Sequence, residues 1–236
     1  MTHRVSYVSG EVVDSGVPKT ALIVSGAGTY SDPWHPFDST STRLKEILSE
    51  QYSTSITTTV ADTLTHLTGG AGDLVVLNFG SAGVAQATDA ACLDGIERFL
   101  EAGGALLVCH VAATAFPADP RWEEILGGRW VRGISMHPDR GDAEIHVTPG
   151  DHAITRGLTD FVLTDERYSY LRVAPDVDVL ATHSHNDAEH PLIWTHTWRG
   201  ARVVYNGLGH DAESFDSAQH RTIVLRAAHW LLGQSR

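Results

Sequence analysis

The chain has few cysteines, few basic residues and no long hydrophobic run. Its 236 residues include 2 cysteines, and 17 lysines and arginines stand against 29 aspartates and glutamates, for a net charge of −12. Nucleic acid and anionic lipid are both bound by basic surfaces, so an acidic chain is a poor partner for either. No apolar segment approaches the ~20 residues that a membrane helix requires. We therefore expect no nucleic-acid partner and no membrane contact.

Two further absences bear on the cellular setting and on cofactors. Cys92 and Cys109 lie inside apolar segments, as reduced and buried cysteines do, and we expect no secretory signal. These features favour a cytoplasmic protein. After the first apolar run, Gly26 and Gly28 begin a G-x-G pattern, but Ser31 stands where a dinucleotide fingerprint needs its next glycine. We therefore expect no nucleotide cofactor.

The first half of the chain alternates short apolar runs with amphipathic segments. Strands are predicted over residues 20–25, 53–60, 73–80 and 105–114, and helices with an apolar stripe separate them. The first of these helices is predicted to begin at Ser39 or Ser41, either of which can cap it. A β-α order with short connections predicts an α/β fold with a doubly wound, mostly parallel sheet.

The second half of the chain has a different pattern. Strand-like pieces follow one another between residues 129 and 180, a hairpin is predicted over 191–208, and a last helix over 217–232. We predict that these strands form an antiparallel extension of the parallel core. No repeat or linker divides the sequence, so residues 20–236 are predicted to form one domain. Residues 1–19 are predicted to be an N-terminal arm or edge strand.

Four histidine-bearing segments follow or interrupt apolar strands: DPWHPF, VCHVAAT, SMHPDRG and LGHDAES. In open α/β sheets the chemistry lies beyond the carboxyl ends of the central strands. We expect His110 and His210 to meet there, with His35 from the loop after the first strand. Clustered imidazoles act as general acids and bases or as ligands of a divalent metal, for which zinc is best suited. A local hydrogen bond is the simpler explanation for any one histidine taken alone.

Other residues complete the predicted site. Glu213 follows His210 by three positions and is predicted to orient an imidazole, to join a ligand set or to accept a substrate hydroxyl. Carboxylates and aromatic rings line sugar pockets. The candidates for such a pocket are Trp34, Glu166, Tyr168 and Trp194. For Asp165 and Arg167 a solvated turn with an ion pair is the simpler interpretation, and for His137 a local role.

Cys109 directly precedes His110, and side chains alternate along a strand. If His110 faces a cleft, Cys109 faces the packing of the sheet and is inert. The sequence around Cys109, Ser25 and Ser81 lacks the glycines of a nucleophile elbow, so no strained nucleophile turn is predicted. Hydrolase chemistry through Cys109 is the least favoured interpretation.

Six segments together resemble the ThuA-like, trehalose-utilisation family. They are GGALLVCHVAAT, ILGGRWVRGISMHP, GDHAITRGLTDF, TDERYSY, HPLIWTHTWRGARVVYNGLGHDAESF and RAAHWLL. The resemblance implies a flavodoxin-like fold similar to class I glutamine amidotransferases, and a role in processing sugars or their oxidised derivatives alongside sugar oxidoreductases. His110 stands where those amidotransferases carry their cysteine nucleophile, and His210 where they carry the triad histidine. The resemblance therefore does not imply glutaminase activity.

The expected function is an enzyme of carbohydrate catabolism, of hydrolase, lyase or isomerase type, that acts on a small sugar or keto-sugar. His35, His110 and His210 either hold a divalent metal or move protons with the support of Glu213. The alternative is a sugar-binding or assembly partner of an oxidoreductase, without catalysis of its own. A homodimer is expected if residues 1–19 pack on a neighbouring subunit.

Overall fold

The structure, a computed structural model, describes residues 19–70 and 73–234. The predicted arm over residues 1–19 lies outside the described residues apart from Lys19. The strands are β1 (Thr20–Ser25), β2 (Ser53–Thr57), β3 (Asp73–Asn78), β4 (Ala105–Cys109), β5 (Gly128–Arg129), β6 (Gly141–Val147), β7 (Phe161–Asp165), β8 (Arg172–Val173), β9 (Asp178–His185), β10 (Ala188–Trp198) and β11 (Ala201–Asn206). The helices are α1 (Phe37–Leu48), α2 (Val60–Thr65), α3 (Asp89–Glu101), α4 (Arg121–Leu126) and α5 (Ala218–Leu231). Within the described ranges no helix is both long enough and apolar enough to cross a membrane.

Nine of the strands form one mixed sheet, in the order β2-β1-β3-β4-β11-β10-β9-β6-β7. Neighbours from β2 to β11 are parallel, and neighbours from β11 to β7 are antiparallel. The parallel part follows the 2-1-3-4-5 order of flavodoxin-like sheets, with β11 as its fifth strand. The predicted α/β class, with a parallel core and an antiparallel extension, is confirmed.

Helices cover both faces of the parallel part because its strands are apolar on both sides. Every residue of β4 is buried, as is typical of a central parallel strand. Leu44 of α1 and Ile223 of α5 belong to the core on one face. Leu64 of α2, Ile96 of α3 and Ile125 of α4 belong to the core on the other. The sheet is therefore doubly wound, as predicted.

The predicted start of α1 is wrong by one turn. The helix begins at Phe37, and the carbonyl of Pro36 accepts hydrogen bonds from the backbone N–H groups of Ser39 and Thr40. Proline fixes its own φ and lacks an N–H, so it starts a helix at no cost in hydrogen bonds. Ser41 lies inside the helix, and its hydroxyl donates to Ser25 Oγ at 2.7 Å in the core.

Several predicted strands are shorter than expected: the third ends at Asn78 and the fourth at Cys109, where the prediction ran to residues 80 and 114. The second strand ends at Thr57, and Val60 begins α2. In the segment RWVRGIS only Arg129 and the preceding Gly128 pair, with β8. The rest is a loop held by Ser135, whose Oγ accepts from Val131 N at 2.8 Å and donates to Tyr170 O at 2.9 Å. This loop forms one wall of the cavity described below.

The predicted hairpin of β10 and β11 is confirmed. Its two turn residues, Arg199 and Gly200, have φ values of 47° and 89°. Positive φ at both central residues is the requirement of the tight turn that suits twisted antiparallel strands. The hairpin carries the chain from the antiparallel extension into β11, the last parallel strand. The loop after β11 thereby reaches the same sheet edge as the end of β4.

Candidate functional site

The chain turns sharply at His110, directly after β4. Its φ of 40° lies in the left-handed region that side chains other than glycine seldom adopt, and residues 110–114 form a short 3-10 helix. A strained turn is therefore present although the glycines of an elbow are absent. Nδ1 of His110 donates to the carbonyl of Gly207 at 2.7 Å. In the neutral tautomer with this hydrogen bond, Nε2 carries the lone pair.

Cys109, one residue earlier, faces the opposite side, as predicted. It is 2% exposed and belongs to the hydrophobic core. Burial raises the pKa of its thiol to about 12. A thiol in this state is protonated at neutral pH and is a poor nucleophile.

His35 reaches the same sheet edge from the loop after β1. The Asp32 carboxylate accepts hydrogen bonds from His35 Nδ1 at 2.7 Å and from the backbone N–H groups of Trp34 and His35, both at 3.0 Å. Burial lowers the pKa of His35 and outweighs the opposing effect of Asp32. The imidazole is therefore favoured in its neutral form, with the Nδ1 proton held by Asp32. Nε2 is left as an acceptor or a metal ligand.

Asp165, at the end of β7, ties this strand to the loop after β11. Its Oδ1 accepts from Glu166 N at 2.8 Å and from His210 N at 3.0 Å. Its Oδ2 accepts from Gly209 N at 2.8 Å and from Ser214 Oγ at 2.5 Å. The prediction of a solvated turn with an ion pair is wrong for Asp165, because these donors allow the carboxylate to be 1% exposed.

Glu166 lies among the histidines. Its Oε2 is 3.1 Å from His210 Nδ1 and 3.5 Å from His110 Nε2. Burial tends to raise the pKa of Glu166, but the two histidines outweigh it and lower the pKa far below its usual range. Burial likewise tends to lower the pKa of His210, but Glu166 outweighs it and the net shift is upward. The predicted sugar ligand Glu166 is thus part of the histidine cluster itself.

Four side chains from separate segments converge here: His35, His110, Glu166 and His210. One donor atom from each lies within 4.8 Å of the others. Across residues 19–70 and 73–234, three of these atoms are buried and have no hydrogen-bond partner: His35 Nε2, His110 Nε2 and His210 Nδ1. His210 Nδ1 is close to Glu166 but does not meet hydrogen-bond geometry.

These unpaired atoms fit a metal ion. An unsatisfied buried polar atom costs about 1–3 kcal/mol, so several at one point indicate that a partner binds there. Imidazole nitrogens with a carboxylate are a common zinc donor set. The held Nδ1 protons of His35 and His110 are the arrangement that orients metal-bound imidazoles. The residues present can therefore hold a divalent metal.

A cavity of about 490 Å³ opens beside the cluster. His35, Trp34 and Tyr168 are among its lining residues. Tyr168 is 3% exposed and its ring centroid lies 4.2 Å from that of His110. Trp34 is 66% exposed at the mouth. Two of the predicted sugar-binding aromatic residues thus line one cavity next to the histidines.

The structure does not bring Trp194 or Glu213 into this site. Trp194 is fully buried, and its Nε1 donates to the carbonyl of Leu126 at 2.9 Å. The register of β10 turns this ring towards α4 and the core. The side chain of Glu213 is 56% exposed and pairs with Arg140. Neither side chain is part of the four-residue cluster.

Sequence reasoning missed several residues of the site. His137 makes the predicted local hydrogen bond, from Nδ1 to the carbonyl of Pro138 at 3.0 Å, but it also lines the cavity, and this Nδ1 is 3.6 Å from Glu166 Oε1. Asp32 received no role, although an aspartate three residues before His35 is well placed to bind the turn that presents the imidazole. Asp165 was also missed. Its position directly after an apolar strand, next to the predicted Glu166, was the signal available for it.

Fold and site together define a doubly wound α/β protein with a histidine-rich candidate metal centre at the carboxyl edge of its sheet. A sequence model of the ThuA family, described as trehalose utilisation, matches residues 20–231. The chain belongs to the ThuA family. A search of curated protein sequences finds no match.

Solved structures with the same fold include other ThuA-like proteins. One from Parabacteroides merdae is 18% identical with a TM-score of 0.73, over 92% of this chain and 90% of that chain. One from Bacteroides uniformis is 19% identical with a TM-score of 0.73, over 98% of this chain and 97% of that chain. A β-galactosidase from Rahnella sp. R3 is 15% identical with a TM-score of 0.61, over 93% of this chain and 32% of that chain. At these identities the similarity shows the fold alone.

Proposed function

We propose that this protein is an enzyme of carbohydrate catabolism that binds a divalent metal, zinc by preference, and acts on a small sugar or keto-sugar. Membership of the ThuA family supports the role in carbohydrate metabolism. The convergence of three unpaired imidazole nitrogens on Glu166 is the observation that carries the metal. An imidazole-rich set with one carboxylate favours zinc over magnesium or calcium, which prefer oxygen ligands.

The residues around the cluster prepare it for this role. A bound zinc ion supplies a Lewis acid for a carbonyl oxygen or lowers the pKa of a water molecule. Asp32 and the Gly207 carbonyl hold the Nδ1 protons of His35 and His110, so both rings present a lone pair without rearrangement. Tyr168 packs against His110 and excludes water from that side.

The cavity walls suit a sugar. The rings of Trp34 and Tyr168 can cover apolar ring faces, while polar groups bind hydroxyls. His137 lies 3.6 Å from Glu166 and its side chain is 38% exposed. It is the residue through which a proton can pass between substrate and solvent, because it contacts the cluster and still faces the cavity.

A metal-free version of the same enzyme has its own support. Glu166 raises the pKa of His210, and this favours an imidazolium beside a carboxylate. The imidazolium of His210 can donate a proton to a substrate oxygen, while the neutral imidazole of His35, whose Nε2 is free, withdraws one from an adjacent carbon. Neither group needs a metal for this chemistry. The two versions differ in whether zinc binds to the purified protein.

Zinc titration of untagged protein separates them. Elemental analysis should find about one divalent metal per chain. After the metal is removed with a chelator, calorimetry should show that the protein binds added zinc. His110→Ala should weaken zinc binding by at least ~100-fold, because it removes a ligand. His66→Ala is the matched control, since that histidine is 74% exposed at the end of α2. Absence of zinc both from the purified protein and after titration would exclude the metal version.

Turnover separates the enzyme from a non-catalytic sugar-binding partner of an oxidoreductase. The proposed enzyme should lose ~10²-fold or more of its rate with His110→Ala, whichever version holds. The assay follows the conversion of a panel of sugars and keto-sugars by the protein, with and without an added sugar oxidoreductase. A rate that does not change with His110→Ala would favour the non-catalytic partner.

A further inference from the structure

The wall of the cavity opposite the histidines is unusually basic for this chain. Three arginines line it, namely Arg129, Arg132 and Arg172, in a protein with 29 acidic and 17 basic residues. Among the described lining residues Asp32 is the one carboxylate, and it is already bound to His35 at 2.7 Å. Arg172 pairs with Glu123, so the uncompensated positive charge on this wall is that of Arg129 and Arg132.

Arg129 is the central residue of this wall. It is 8% exposed, and in the described part of the chain its one side-chain hydrogen bond runs from Nη2 to the carbonyl of Pro117 at 2.9 Å. No described carboxylate lies within ion-pair distance of its guanidinium, and burial lowers its pKa. A buried cation without an anion is costly, and a bound anion would offset that cost.

The nearest acidic residues do not compensate Arg129, because each already binds another arginine. Glu123 accepts from Arg172 Nε at 2.6 Å. Asp119 accepts from Arg121 Nη2 at 2.8 Å. Neither carboxylate makes an ion pair with Arg129, whose guanidinium keeps N–H donors beyond the one bound to Pro117. A guanidinium offers a planar set of N–H donors that matches the oxygens of a carboxylate or a phosphate.

Arg132 extends the basic wall towards solvent. It lies on the loop after β5 that Ser135 holds in place. Unlike most arginines of the described chain, it makes neither a hydrogen bond nor an ion pair with another described residue. Its side chain is exposed at the mouth of the cavity. An exposed cation at the mouth, in the same cavity as a buried one, suits an anionic ligand that enters from solvent.

We infer that the cavity takes an anionic sugar, a sugar acid or a sugar phosphate, whose anionic oxygens are bound by Arg129 and Arg132. The other end of the molecule faces His35, His137 and Tyr168, which line the same cavity. This substrate class rests on the proposed function, since the sugar and its reacting end belong to that function. The anion site itself depends on the arginines and not on a bound metal. A cavity of about 490 Å³ is of the size that small-molecule ligands occupy.

Calorimetry with a matched set of sugars tests this inference. Glucose, glucuronate and glucose 6-phosphate are titrated into the full chain, first with a chelator and then with zinc. At least one of the two anions should bind ten-fold or more tightly than glucose, because a charge-assisted bidentate contact is worth at least that ratio. Tighter binding of glucuronate indicates a sugar acid as the ligand, and tighter binding of glucose 6-phosphate indicates a sugar phosphate. Equal affinity for all three sugars, or no binding of either anion, overturns the inference.

Variants of the two arginines test whether they cause the preference for anionic sugars. Arg129→Gln should abolish the ten-fold preference, and Arg132→Gln should reduce it several-fold. Arg132→Gln removes no contact within the described protein, so it remains informative if Arg129→Gln fails to fold. Arg221→Gln is the control, since that arginine pairs with Glu50. A preference that survives both cavity variants overturns the inference.

The titrations with zinc distinguish a failure of this inference from a failure of the proposed function. If anions are preferred but zinc does not bind, the metal version is wrong and the anion site stands. If zinc binds but the three sugars bind equally, the metal centre stands and the anionic substrate class is wrong. Zinc binding should be unchanged in Arg129→Gln, because Arg129 is not among the four clustered ligands.

Discussion

Replacing Asp165 by asparagine tests whether one buried carboxylate holds the site together. Asp165 accepts the backbone N–H groups of Glu166 and His210, and these two residues belong to the four-residue cluster. It also accepts Gly209 N and Ser214 Oγ through its second oxygen. Asparagine keeps the shape of the side chain but replaces one oxygen by an amide group that cannot accept a hydrogen bond.

The position of that amide determines how much stability the protein loses. Beside Glu166 and His210 it would face two backbone donors that cannot turn away. Beside Gly209 and Ser214 it faces one such donor and a hydroxyl that can rotate. The second orientation is favoured, and it leaves the Gly209 N–H without an acceptor. With the loss of charge at the remaining bonds, the free energy of unfolding should fall by about 2–4 kcal/mol.

Two measurements on the same variant test this reasoning. Thermal unfolding in a chelator should show a Tm lowered by roughly 4–16 °C, and zinc binding to the folded variant should weaken about 10–100-fold. Asp142→Asn is the control, because Asp142 is exposed on the neighbouring strand β6. It should change stability by no more than about 0.5 kcal/mol. An Asp165→Asn protein with the Tm and zinc affinity of the wild type would refute this role for the carboxylate.

Three further variants test other features of the structure. At His110 the φ of 40° predicts that His110→Gly is more stable than His110→Ala by about 1 kcal/mol in urea unfolding, with zinc affinity lost in both. At His220 burial lowers the pKa and Asn206 Nδ2 donates to Nε2, so the unfolded chain binds the proton more readily. Stability should therefore fall as pH drops below about 6.5, by at most ~1.4 kcal/mol per pH unit, and His220→Gln should flatten this slope in chelator-treated protein. Gly95→Ala would place a Cβ 1.8 Å from Leu64 O and should cost about 1–3 kcal/mol in urea unfolding, despite the better helix propensity of alanine.

The core strands and the longer helices could be predicted because their signals are local. The strand over Thr20–Ser25 has the predicted bounds, and α5 begins one residue after its capping residue, Ser217. The N-cap contact is itself local, since Ser217 Oγ accepts from His220 N. The β-α order predicted a helix between the second and third strands, but not the bounds of α2, because a six-residue helix is too short to show a clear helical pattern. Its packing against α3, which Gly95 allows, supplies what the sequence pattern lacks.

The histidines of the site could be predicted from their places after apolar strands, but their partners could not. His35, His110 and His210 meet as expected. Glu166 joins them because β7 pairs at the far edge of the antiparallel extension, a placement set by contacts distant in sequence. Glu213 was placed in the cluster by its spacing from His210, yet Arg140 from another segment binds it outside. Spacing along a loop does not determine which side of the loop faces inward.

The turn at His110 determines which of two neighbouring side chains faces the site. A residue at a φ of 40° costs on the order of 1–3 kcal/mol and persists where the surrounding structure fixes it. Here Tyr205 Oη donates to the His110 carbonyl at 3.0 Å and the Gly207 carbonyl accepts from Nδ1. The same turn directs Cys109 into the core, where burial raises its pKa to about 12. The end of β4 therefore presents the imidazole of His110 to the site, while the thiol of Cys109 stays protonated in the core.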